Sequence, residues 1–76
     1  MADIPENLID LERTAEEERA GLAGLDGEAY DKQWRRWREA SAAVHAAVAE
    51  YAAREDVELT RLAVEQAVKK AVRHPE

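Results

Sequence analysis

The sequence predicts an all-α protein built on one long central helix, with shorter helices packed antiparallel at each end as a three-helix bundle or extended helical hairpin. Three observations carry this expectation. The chain is rich in Ala, Glu, Leu, Arg and Val, has no Phe or Cys, and holds only three Gly and two Pro. No Gly or Pro falls between residues 28 and 55. Apolar residues recur at alternating spacings of three and four over most of the chain, the period of a helix with one buried face.

The first helix is expected over about residues 4–23. Asp3 is placed to cap the amide of Glu6, and Pro5 in the first turn removes an amide that would have no intrahelical acceptor. Ile4, Leu8, Leu11, Ala15, Glu18, Leu22 and Leu25 then fall within one narrow arc, interrupted only by Glu18. Gly24 suits the left-handed position that ends a helix, with Leu25 folding back on the last turn.

The second helix, about residues 27–55, is the dominant element. Asp26 reads as its N-cap, Glu28 favours the positive end of its dipole, and Leu25 and Tyr30 stand at the hydrophobic-staple positions. From there Tyr30, Trp34, Trp37, Ser41, Val44, Val48 and Tyr51 run as an unbroken stripe. At 1.5 Å per residue such a helix is about 40 Å long.

The third helix is expected over about residues 59–73. The apolar phase changes across Arg54–Glu58, and a cap at Thr60 makes Leu59 and Val64 the staple pair. Asp56 is the alternative start. Lys69, Lys70 and Arg73 suit the negative end of the helix dipole, and His74-Pro75 stops it. Helix one is expected to cover the Tyr30–Val44 part of helix two, and helix three the part around Val44–Ala53. The whole is a single domain of 76 residues.

A chain this short buries about 60–65% of the surface its unfolded form exposes, and small scaffolds usually need a staple. With no Cys, disulfides and thiolate metal sites are excluded, which leaves association with a partner chain. The expected partner is a second copy or another helical protein. Its contacts would be the aromatic and apolar residues Tyr30, Trp34, Trp37, Val44, Val48 and Tyr51. Ala42, Ala46, Ala49 and Ala53 add a small-residue row, although Ala is simply the best helix former.

The net charge of −6 is unevenly spread: −8 over residues 1–31, +4 over residues 32–38 and −2 over residues 39–76. Lys32, Arg35, Arg36 and Arg38, interleaved with Trp34 and Trp37, form the alternative candidate site, a nucleic-acid contact in a small regulator. The helical phase weighs against it, because the tryptophans share the apolar arc while Lys32, Arg35 and Arg36 lie across the helix. Antiparallel packing also brings the run Glu16–Glu18 near these bases as an internal partner. The plainer reading of the basic group is a solvated or paired helix face.

No residue pattern points to an enzyme, a cofactor or a small-molecule substrate. Glu18 has no predictable acid–base partner, His45 has no metal-ligand mate, and Ser41 reads as a small residue permitting close packing. Gly21, Gly24 and Gly27 follow no strand and do not form a phosphate loop. The first seven residues lack the basic-then-apolar pattern of a signal peptide, and the weakly polar stretch 40–53 is too short to span a bilayer. A cytoplasmic location is therefore expected, and the Arg-over-Lys, Ala-rich composition fits the coding bias of high-GC bacteria.

Overall fold

A computed structural model describes residues 4–73, and these form three helices: α1 (Glu6–Ala20), α2 (Gly27–Ala52) and α3 (Arg61–Arg73). The all-helical prediction holds, and the described residues contain no strand. Each helix packs against the other two. The α1–α2 pair is antiparallel: Leu8 lies near Ala47 and Tyr51, whereas Glu18 meets Gln33.

Each helix is shorter than its sequence span, for a local reason. α1 begins at Glu6 because Pro5 has an extended ψ of 138° and its ring disfavours helical backbone at Ile4. The Pro5 carbonyl still accepts the amides of Leu8 and Ile9, at 3.1 and 3.4 Å. The expected cap at Asp3 lies outside the described residues. At its other end α1 tightens into successive short turns, with the Leu22 amide on the Arg19 carbonyl and the Ala23 amide on the Ala20 carbonyl. Gly24 then takes the predicted left-handed conformation, with φ +79°.

α2 starts at Gly27 with Asp26 in extended conformation before it, but the Asp26 side chain makes no cap hydrogen bond. It stops at Ala52, three residues early. There the Arg54 guanidinium donates to both carboxylate oxygens of Asp56, at 3.1 and 3.0 Å, and the Val57 amide bonds the Arg54 carbonyl. The Arg54–Asp56 pair accompanies the turn and, being exposed on both sides, adds little to it. α3 opens as the Thr60 cap predicts, its Oγ1 accepting the Ala63 amide at 3.1 Å. Leu59 is partly buried against the core, of which Val64 is a member, while Leu62 is 62% exposed.

The core is small. Leu8 and Ala15 of α1, Val44 and Val48 of α2, and Val64 and Val68 of α3 are its buried members. Ile4, Leu11, Ala40, Ala47, Tyr51 and Leu59 pack around them. Complete burial of one such aliphatic side chain stabilises by about 1.5–3 kcal/mol, so these few positions hold most of the fold. All three helices meet at the C-terminal half of α2. The expected division of labour between the covering helices is therefore corrected: α1 begins at the Tyr51 end of α2 and runs back only as far as Gln33. Its course leaves the first turns of α2 with little above them.

Candidate interaction surface

That axial offset decides the fate of the aromatic residues. Tyr30 and Trp34 are 40% and 38% exposed, Leu25 is 38% exposed, and Trp37 is half-buried. The expectation that helix one covers the Tyr30–Val44 stretch is therefore corrected for Tyr30 and Trp34, which stay exposed, while Trp37 is half-buried. The tryptophans continue the stripe that buries Val44 and Val48 against α3; Trp37 still shares a cleft with Lys69 of α3, whereas Trp34 and Tyr30, one and two turns further toward the start of α2, stay exposed. The predicted contact residues thus divide. Val44 and Val48 are consumed by the chain's own core, and Tyr51 is half-buried with the Arg54 guanidinium 5.7 Å from its ring centre. Tyr30, Trp34 and part of Trp37 remain at the surface. The alanine row is largely exposed on another side of α2, with only Ala49 half-buried.

The exposed indole is not bare. The Arg38 guanidinium lies 4.9 Å from the centre of the Trp34 ring, one turn along the same helix. A cation over an indole face is attracted by the ring's negative quadrupole, and the arginine's own stem shields apolar surface. Arg38 therefore belongs with the aromatic surface, whereas Lys32, Arg35 and Arg36 are exposed elsewhere around the helix.

The expected internal pairing of these bases with Glu16–Glu18 is not observed. Glu16 is 3.9 Å from Arg19 on its own helix. Glu18 is engaged by Gln33, whose Nε2 donates to the Glu18 carbonyl at 2.6 Å and reaches its carboxylate at 3.4 Å. Among the described residues no ion pair joins Lys32, Arg35, Arg36 or Arg38 to any carboxylate. The reason is rotational: the face α2 turns to α1 carries Gln33, and the basic side chains lie around the cylinder from it.

Below the aromatic end, Trp37, Ser41 and His45 line a shallow cleft of about 320 Å³ with Glu12, Glu16 and Lys69. Its base is an ion pair that the sequence reading missed. Glu12 is buried, and Lys69 Nζ donates to its Oε1 at 3.3 Å. Glu18 was the expected break in the α1 stripe, yet Glu12 is the acid that the fold encloses. A signal existed, since Glu12 is four residues after Leu8 and three before Ala15, on the shoulder of the same arc. Ser41 and His45 share the cleft, but no hydrogen bond joins them among the described residues. Nor does any group of three or more His, Asp or Glu there stand close enough to hold a metal ion. The C-terminal bases Lys69, Lys70 and Arg73 line a second, open hollow with Gln66. His74 lies outside the described residues.

No helix among the described residues is long and apolar enough to cross a membrane. No family model, curated protein or solved structure matches the chain.

Proposed function

We propose that this protein is a non-enzymatic helical interaction module that self-associates through the N-terminal half of α2. The supporting observation is the surface formed by Leu25, Tyr30 and Trp34, each 38–40% exposed, where α2 outruns its cover. Aromatic side chains that present large rigid area with one polar edge are the usual anchors of helical interfaces. The rest of the chain offers a core of six small and medium aliphatic residues, so covering this surface would add substantially to what holds the molecule together. The contact residues are Tyr30, Trp34 and Trp37. Absolute mass measured by sedimentation or light scattering over a concentration series tests the proposal. A concentration-dependent rise toward a dimer, lost in Trp34→Ala, is expected; a monomer throughout rejects it.

A second reading rests on a separate observation: Lys32, Arg35 and Arg36 are exposed and form no ion pair among the described residues. Such a group could contact phosphates in a small nucleic-acid-associated regulator, with Arg38 as a fourth contact. The acidic balance of the chain as a whole opposes it. This reading requires binding to DNA or RNA that falls steeply with salt. No binding at low salt by a folded sample removes it.

A further inference from the structure

The exposed strip of α2 carries a charge order that determines how a second copy would sit on it. Asp31, Trp34 and Arg38 are spaced i, i+3 and i+7, which sets them in line on one face of the helix. Asp31 is exposed and makes no ion pair among the described residues. Arg38 is exposed and lies against Trp34. The strip therefore reads acid, indole, base along the helix, with the exposed Arg35, four residues after Asp31 and three before Arg38, along one edge.

We infer that two copies associate with their α2 helices antiparallel, Trp34 against Trp34, and Asp31 of each copy paired with Arg38 of the other. This deepens the self-association proposed above and rests on it.

Two features of the molecule fix the orientation. The first is charge. A two-fold axis perpendicular to α2 between Trp34 and Arg35 exchanges positions 31 and 38, so both flanking contacts become opposite-charge pairs. A parallel arrangement sets Asp31 on Asp31 and Arg38 on Arg38, and like charges facing across an interface oppose association. The second is space. α3 covers the C-terminal half of α2 through Val64 and Val68 beside Val44 and Val48. Copies stacked in parallel would bring α3 against α3 and hold the aromatic ends apart. Antiparallel copies put the two α3 helices at opposite ends and let the uncovered halves meet. Nucleic acid fits this strip poorly, because a polyanion gains from Arg38 but is repelled by Asp31.

The test uses charge reversal in the full-length chain, read by sedimentation at low salt. Asp31→Arg alone and Arg38→Glu alone should each weaken self-association by about tenfold or more, since each creates two symmetric like-charge contacts. Mixing these two variants in equal amounts should restore a dimer to within about threefold of the original affinity, because each mixed contact again joins opposite charges. The chain carrying both substitutions should self-associate as the original does. Circular dichroism of each variant confirms that the helices persist, and recovery on mixing cannot come from a folding defect. If the original chain dimerises and Trp34→Ala abolishes this, but charge reversal has no effect or mixing fails to restore affinity, the antiparallel register is overturned while self-association stands. If the original chain stays monomeric at every concentration, both are overturned.

Discussion

Lys69 Nζ lies 3.3 Å from the Glu12 carboxylate, fastening α3 to α1 across 57 positions of sequence. The Glu12 side chain is 6% exposed and that of Lys69 is 48% exposed, so the acid depends on a base that water still reaches. Lys69→Met leaves a buried carboxylate without its partner and should cost about 1–2 kcal/mol, below the cost for a fully enclosed pair. Adding Glu12→Leu should recover most of that loss, because an apolar pair of similar volume avoids the desolvation penalty. Urea unfolding of the single and double variants measures both effects. A double variant less stable than Lys69→Met would contradict this account.

The Gln33 clasp makes a prediction about a glycine. A Cβ on Gly21 would stand 2.7 Å from Gln33 Nε2 and 3.0 Å from its Cδ, although the Gly21 backbone, at φ −66°, suits any residue. Gly21→Ala should therefore gain about 0.4–1 kcal/mol from the unfolded chain and lose a similar amount as the hydrogen bond to the Glu18 carbonyl is displaced. In the Gln33→Ala background only the gain remains. Thermal melts of the four chains should show Gly21→Ala nearly neutral alone and stabilising there.

Burial separates folding from association at two positions on the same stripe. Val48 is fully buried and Trp34 is not. Val48→Ala should destabilise by about 2–3 kcal/mol, from lost transfer energy and an incompletely closed cavity. Trp34→Ala, whose indole keeps over a third of its surface in water, should cost the isolated chain about 2 kcal/mol, no more than the much smaller Val48 deletion, and should in addition weaken association. Denaturation at a concentration low enough to keep the chain monomeric gives this order. A larger loss in Trp34→Ala would mean that the indole is part of the core.

At the start of α3, Thr60→Ala removes the hydroxyl that accepts the Ala63 amide and should cost about 1 kcal/mol, whereas Thr60→Ser should cost little. The same unfolding measurement, with helix content followed by circular dichroism, checks it.

The helices themselves could be read from the sequence, along with the Thr60 cap and the left-handed Gly24, because each depends on residues within a turn of one another. The position of the covering helices along α2 could not. Tyr30, Trp37, Val44 and Val48 share one angular phase, and periodicity reports the face of a helix without saying which stretch of that face is covered. Loop length and the Gln33–Glu18 contact set that level, and neither has a periodic signature. Glu12 escaped for a similar reason: its enclosure depends on α3, whose Lys69 is remote in sequence. The sequence named Tyr30, Trp34 and Trp37 as partner contacts in one set with Val44 and Val48, and periodicity alone did not separate the exposed members of that stripe from the enclosed ones.

The late arrival of α3 also bears on how the molecule assembles in time. The α1–α2 and α2–α3 contacts both close over short connections, residues 21–26 and 53–60, whereas the Glu12–Lys69 contact between α1 and α3 requires nearly the whole chain to be gathered first. The α1–α2 packing is the most extensive of the three, which favours a hairpin that forms early and a third helix that docks last and leaves first. In hydrogen exchange, amides of α3 should open at lower free energy than those around Val44 and Val48 in α2. The ion pair that fastens the bundle would act late in folding, slowing the release of α3 more than speeding the collapse that precedes it.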